Sequence, residues 1–566
     1  MSLEQVADKV IETDVLVIGG AIAGCAAAAK AAENGLKVTL AEKAKIERSG
    51  TSGQGIDHYG GAFPRGMTPK DFTEILEELG RESAFYGGVP YSNLTRIYRQ
   101  YANGYWAIEE LEKLGVTMRW TDGEFRPIKN FGGGSPFLRV HWVNVKPEMA
   151  AGVRKRGVNV LDRTMIVDFL TNNGAVVGAT AVNSRTGEFI VIRTKAIVVA
   201  TGMFARCYNP EQPCPGRYKF RYHCCPAAVS GDGGAMAYRA GAELSNMEQA
   251  RRRGGTNDDL TISFGNFINE GIPAKALTWD GEEISFIGTQ GAAKLDEMEL
   301  KGRGPFYMSL EDVPDDFHKR IEVCYADERL LSFKIAQDRG FNPRKHWFQR
   351  VGNRCTILHA QPGISADGDF KTTLKGLYAA GDCVAGSHDV ANAATAGFLV
   401  GDSIRTYVNG AAEPVIDEAQ VESQKETALA PLAVKDGTDP MELEMSVRGL
   451  CDQYVCPNRG EGTLREGLRR MGSLRRVFLP QLMAKNPHYL MRALEVRNIM
   501  EMAEAHMRAC LERRETRGYH FRRDYPEADP KWEGMLTYQR LENGKPVLEM
   551  RKQAPIALPD DHKEER

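Results

Sequence analysis

The chain has 566 residues, 42% hydrophobic and 26% charged, enough for about two to four domains with substantial cores. Its 73 Lys and Arg nearly cancel 75 Asp and Glu, which excludes a net field aimed at nucleic acid or at an anionic membrane. The opening MSLEQVADKV lacks the charged start and apolar run of a signal peptide, and no stretch of about 18 apolar residues offers a membrane span, so a cytoplasmic protein is expected.

Asp14-Val15-Leu16-Val17-Ile18 is a short apolar, β-branched run that reads as a buried parallel strand. It leads into Gly19-Gly20-Ala21-Ile22-Ala23-Gly24 and an Ala-rich helix from Cys25 to about Asn34. A strand, a glycine turn and a helix in this order place a pyrophosphate on the exposed N–H groups and positive dipole end of the helix. Gly19 makes the turn, and Gly24 lets helix and strand pack closely. Ala21 stands where G-x-G-x-x-G has its middle glycine, and its methyl crowds the phosphates slightly. Lys37 to Ala41 form a second strand, with Glu42 at its end to accept hydrogen bonds from an adenosine ribose. Glu42 followed by Lys43 would also suit a solvated strand end, but the complete βαβ unit favours the nucleotide.

Further along, Ala196-Ile197-Val198-Val199-Ala200-Thr201-Gly202 is another buried strand, and Gly376-Leu377-Tyr378-Ala379-Ala380-Gly381-Asp382 a third. A strand of the nucleotide fold so far downstream is superfluous for NAD, whereas FAD enzymes return there to set a carboxylate on the ribityl chain or phosphates. FAD is therefore the expected cofactor. Asp382 has a second reading, as the N-cap of a helix beginning near Ala394. The eleven cysteines show no tight C-x2-C-x2-C run, so no iron–sulfur cluster and no metal is expected in this chain. Cys224-Cys225, Cys451 and Cys456 read as buried small hydrophobes.

Four blocks, taken together, carry a resemblance. They are Arg48-Ser49-Gly50-Thr51-Ser52-Gly53-Gln54-Gly55, Ser230-Gly231-Asp232-Gly233-Gly234-Ala235-Met236-Ala237, the Gly376 to Asp382 strand, and Arg517-Gly518-Tyr519-His520 with Arg523-Asp524-Tyr525-Pro526. In this order they resemble the flavoprotein superfamily of succinate dehydrogenase, fumarate reductase, L-aspartate oxidase and adenylylsulfate reductase α subunits. The resemblance implies an α/β fold, a Rossmann-like FAD-binding domain interrupted by an α+β capping domain and followed by a helical C-terminal domain. It places the FAD-binding domain at 1–250 and 355–413, the cap at 251–354, the helical domain at 414–530 and a C-terminal tail at 531–566. It assigns to FAD the residues Gly19, Ala21, Ile22, Ala23, Gly24, Glu42, Lys43, Ser49, Gly50, Ser52, Gln54, Gly55, Ala200, Thr201, Gly202, Asp232, Gly381 and Asp382.

The departures bear on the chemistry. Many fumarate and succinate enzymes attach FAD through a histidine that would fall at Gly50, so attachment here is expected to be non-covalent. Where dicarboxylate sites have H-P-T-G this chain reads Gln249-Ala250-Arg251-Arg252-Arg253-Gly254-Gly255, and the catalytic R-D pair of the cap is not found, which speaks against fumarate. His141 followed by Lys146-Pro147, and Gly381-Asp382 followed by His388, resemble the adenylylsulfate reductase blocks. Trp142-Val143-Asn144-Val145, however, lacks the acidic residue those enzymes carry at their substrate site.

His388 is the first candidate to bind an anionic substrate or move a proton, since an imidazole titrates near neutrality. Arg251, at the head of the Arg251-Arg252-Arg253 run, is a candidate anion fork, and His141 and His58 are further site candidates. The expected activity joins a small anionic substrate to an iron–sulfur, ferredoxin-like partner, in a homo- or hetero-oligomer. The alternatives are an adenylylsulfate reductase α subunit proper, a flavin oxidase similar to L-aspartate oxidase, and a flavin-binding scaffold without turnover.

Overall fold

A computed structural model describes residues 3–60, 93–120, 122–128, 137–142, 144–208, 228–253, 275–284, 298, 301–319, 334, 337–342, 344–350, 356–360, 362–387, 389–455 and 459–557. At its centre lies a seven-stranded sheet ordered Asn159–Asp162, Val38–Glu42, Lys9–Ile18, Phe189–Val199, Ala175–Asn183 and Thr164–Asn172, with Leu377–Ala379 also on Phe189–Val199. The first four strands and Leu377–Ala379 run parallel, whereas Ala175–Asn183 and Thr164–Asn172 are antiparallel additions. Strand Phe189–Val199 divides one edge between two partners. Residues 189–193 pair with the antiparallel strand, and residues 197–199 with Leu377–Ala379. The downstream strand thus re-enters the nucleotide sheet, as its sequence suggested.

Helix Ile22–Glu33 is mostly alanine, and that composition sets its packing. It lies against the 21-residue helix Val390–Gly410, where a Cβ on Gly397 would stand 2.3 Å from the Ala23 carbonyl oxygen and one on Gly401 2.6 Å from that of Ala27. Small residues on both helices let the backbones meet, which brings the start of the second helix beside the glycine turn. The cap of that second helix corrects an expectation. The helix begins at Val390, not near Ala394, and its N-cap is Asp389, whose carboxylate accepts from the Asn392 N–H at 3.0 Å. Asp382 lies seven residues before the cap and is free of that duty.

Residues described from the expected cap include a four-stranded antiparallel sheet, Glu283–Ile284, Lys275–Leu277, Phe306–Ser309 and Phe348–Arg350. The chain enters it through Ala250–Arg253, which pairs antiparallel with Thr356–Ala360 on the way back. Helices Glu418–Ala433, Pro440–Tyr454, Glu461–Val477 and Pro487–Glu512 follow. The 531–566 stretch is not a plain tail. Met535–Glu542 and Lys545–Lys552 form a hairpin that joins Leu244–Ser245 and Gly363–Ile364 in a second sheet. Its first strand buries Leu536, Thr537 and Gln539, which composition alone conceals among many charges.

Candidate flavin site

Backbone contacts enforce the glycines of the turn. Gly19 has φ +99°, and a Cβ there would lie 2.4 Å from the Ala200 carbonyl oxygen, while one on Gly24 would lie 1.8 Å from the carbonyl oxygen of Gly19 itself. The turn is thus pressed between its own helix and the backbone just past strand Phe189–Val199, which is the geometry a phosphate-binding turn needs. The helix starts at Ile22, three residues earlier than its composition suggested, with Ala21 extended at the N-cap and no side chain capping it. An uncapped helix N-terminus in a glycine turn is a ready anion site.

Glu42 closes the second strand and is buried. Its carboxylate accepts from the Gly20 N–H at 2.7 Å and the Ala44 N–H at 2.6 Å, which fixes the acid beside the turn and leaves further lone pairs for a ribose. The Gly20 carbonyl accepts from Ser49 Oγ at 3.1 Å, Cys25 Sγ at 3.2 Å and Lys146 Nζ. Gly50, at φ +76°, leads into the 3-10 turn Thr51–Gln54, and Gly55 follows at φ +102°. At Gly50 a Cβ would lie 2.4 Å from the Ala21 Cβ, so the methyl that departs from the glycine motif occupies the space a side chain at position 50 would need.

Lys43 and Asp232 face each other. Lys43 Nζ meets Asp232 Oδ2 at 2.7 Å, Glu495 Oε1 at 2.6 Å and Ser230 Oγ at 2.8 Å, and Asn498 donates to Asp232 at 2.8 Å. Arg206 binds Glu495 from the other side at 2.6 Å and also holds Glu444. Burial works against the Glu495 carboxylate, but Lys43 and Arg206 outweigh it and hold its pKa down to about 2. Lys43 therefore spends its charge on tying the nucleotide strand to helix Pro487–Glu512.

Two buried polar atoms fit a bound dinucleotide because no described residue satisfies them. Ser52 Oγ and Asp382 Oδ1 have no hydrogen-bond partner among the described residues. Gly381, at φ +73° and with Ala23 Cβ 2.8 Å from its would-be Cβ, sets Asp382 directly against the turn. Burial, with the charge of Asp389 adding to it, raises the Asp382 carboxyl to about 7. A carboxyl raised in the folded state contributes stability at acid pH that is lost as pH climbs through the folded value. In the flavin-free protein, the thermal midpoint of wild type should therefore fall relative to that of Asp382→Asn between about pH 4 and pH 8. Parallel melts across that range measure it, and a midpoint difference independent of pH would refute it.

His388 lies outside the described residues, and so do the side chains of the substrate candidates His58, His141 and Arg251 and of the flavin candidate Gln54. The neighbours of His388 are held in place. Gln100 donates to Ser387 Oγ at 3.2 Å and to the Asn392 carbonyl at 3.2 Å. Glu248, just before Arg251, is fully buried and accepts from Arg513 Nε at 2.9 Å and from Thr537 Oγ1. Beside it, His520 accepts from Arg459 at its Nδ1 (2.8 Å) and pairs its Nε2 with the Arg513 carbonyl (2.9 Å). Burial and then the Arg459 charge hold this imidazole well below its usual pKa, so it is neutral. Residue reading placed Lys146 in a family-like block without a role at the turn and did not single out Glu248. A lysine and a glutamate in sequence carry no sign of burial, and only the neighbouring turn and the C-terminal segment reveal it. Cys224-Cys225 and Cys456 lie outside the described residues, Cys451 is buried, and no group of three or more metal-ligating side chains occurs among the described residues. No described helix is long and apolar enough to cross a membrane.

A sheet re-entered by Leu377–Ala379, a glycine turn on an uncapped helix and an unsatisfied carboxylate beside it define an FAD-dependent oxidoreductase, and residues 14–251 match the FAD binding domain family. Residues 446–559 match the family described as fumarate reductase flavoprotein C-term. It is 25% identical to a subunit of the fumarate reductase (CoM/CoB) of Methanothermobacter marburgensis, over 94% of this chain and 98% of that one. It is 22% identical to the L-aspartate oxidase of Streptomyces coelicolor, over 92% and 90%. The adenylylsulfate reductase structure from Archaeoglobus fulgidus superposes with a TM-score of 0.80 at 23% identity, covering 97% of each chain. That likeness describes the fold.

Proposed function

We propose that the protein binds FAD without a covalent link and uses it to move a hydride to or from a small anionic substrate, exchanging electrons with an iron–sulfur, ferredoxin-like partner. The observation that carries the first part is Gly50. Its positive φ and the Ala21 methyl 2.4 Å from its would-be Cβ leave no room for the histidine that links flavin in many relatives. Glu42 would hold the ribose, the turn from Gly19 to Gly24 the pyrophosphate, and Asp382 with Ser52 the ribityl side. Bound FAD supplies a two-electron centre that can also pass electrons singly, and the chain supplies orientation, electrostatics and exclusion of water.

An anionic substrate is supported by the relatives, named for fumarate, L-aspartate and adenylylsulfate, and by the Arg251-Arg252-Arg253 run where the chain enters the cap. Arg251 would pair the anion, His388 would hold or move the proton, and His141 and His58 would flank them. A partner is supported by the Methanothermobacter relative, which is one subunit of its enzyme. Acid precipitation of the purified yellow protein is expected to leave FAD in the supernatant, and a yellow pellet would overturn the non-covalent reading. Anaerobically reduced protein should be reoxidised by a ferredoxin faster than by oxygen. Rapid peroxide formation without a partner would favour a self-contained oxidase instead.

A further inference from the structure

The phosphate turn is gripped by a charge that its motif does not foretell. Lys146, near the start of helix Val145–Lys155, is fully buried at 0% exposure. Its ammonium donates to the Gly20 carbonyl and lies 3.4 Å from Cys25 Sγ. Among the described residues it has no carboxylate within ion-pair distance. The nearby Glu42 carboxylate is turned to the Gly20 and Ala44 N–H groups and makes no ion pair with Lys146.

An ammonium buried without an anion is costly, and folds that keep one supply a counter-charge. A structural explanation would make Lys146 only a donor for the Gly20 carbonyl, but Ser49 Oγ at 3.1 Å and Cys25 Sγ at 3.2 Å also reach that oxygen, so it does not depend on Lys146 alone. What Lys146 adds is charge. It adds that charge beside the positive end of helix Ile22–Glu33, where like polarities repel until an anion arrives.

We infer that Lys146 is a fixed counter-charge for the pyrophosphate of the bound dinucleotide, acting through the Gly20 peptide it grips. It is a positioning residue, and the inference rests on the FAD reading above. A glycine motif with an extra methyl at Ala21 gives the phosphates a slightly poorer backbone cradle, and a buried cation behind the turn offsets that loss.

The test uses the full chain stripped of flavin, as wild type and Lys146→Gln, which keeps a donor for Gly20 and removes the charge. Each is titrated with FAD, ADP and adenosine by calorimetry. Loss of the charge is expected to raise the Kd of FAD and ADP roughly ten- to fiftyfold and to leave adenosine within about twofold. Equal FAD and ADP affinity in both proteins, or an adenosine loss as large as that of ADP, would overturn the inference. Should the variant fail to fold, wild type decides. Inorganic pyrophosphate at millimolar concentration is expected to raise the melting midpoint of the flavin-free protein, and no rise while ADP still binds would overturn the inference. Wild type that binds no FAD at all would remove the FAD reading itself, a result distinct from either of these.

Discussion

Gly24→Ala is expected to abolish flavin retention, giving a colourless protein that melts well below wild type. Its new Cβ would stand 1.8 Å from the Gly19 carbonyl oxygen, an approach to backbone that no side-chain rotation can relieve. Helix and turn must then separate, which moves the N–H groups away from the phosphates. Overpacking against backbone costs about 3 kcal/mol at the upper end of the usual range, equivalent to about a hundredfold in affinity if it falls entirely on binding. The absorbance ratio of flavin to protein after gel filtration, with a melting curve, reads both effects. A variant that retains flavin like wild type would show that the turn is not held as described.

The second large effect is expected at Arg513. This guanidinium is 0% exposed, gives Nε to Glu248 at 2.9 Å, and also holds Glu515 and the Met535 carbonyl. Through these bonds it joins the segment before Arg251 to the end of helix Pro487–Glu512 and to the C-terminal hairpin. Arg513→Met leaves the Glu248 carboxylate buried without its cation, while Glu515 keeps Arg517 at 3.0 Å, and losing one partner of a buried pair costs about 3–5 kcal/mol. The double variant Arg513→Met with Glu248→Leu should recover part of that loss, because it removes a stranded charge as well as the pair. Urea unfolding of the three proteins checks this. Equal midpoints for wild type and Arg513→Met would place the stability of this junction elsewhere.

Much of the nucleotide fold was legible in the residues because its signals are local. A β-branched run, glycines at turn spacing and an acid at the next strand end each follow from backbone sterics within about thirty residues. The return of Gly376 to Asp382 to the sheet was legible for the same reason, as a short apolar strand ending in glycine and a carboxylate. Boundaries were less so. Helix Ile22–Glu33 starts inside the glycine motif, since Ile22 and Ala23 adopt helical geometry as soon as Ala21 has turned. Asp382 was the cap that the sequence offered for a helix near Ala394, and only the start of that helix at Val390, capped by Asp389, removes it from that role. The hairpin Met535–Lys552 escaped because its strands alternate weakly and carry many charges, and they find their partners in Leu244–Ser245, nearly 300 residues away.

The sequence by itself determined the cofactor class and the order of the parts, because a phosphate-binding turn is a short-range requirement that few residue types can meet. Tertiary structure alone decided which charges are buried. Lys43 with Asp232 and Glu495, Arg513 with Glu248, and Lys146 against Gly20 are ordinary polar residues in the chain. They acquire their roles only when segments 126 to 452 residues apart close around them and exclude the water that would otherwise screen them.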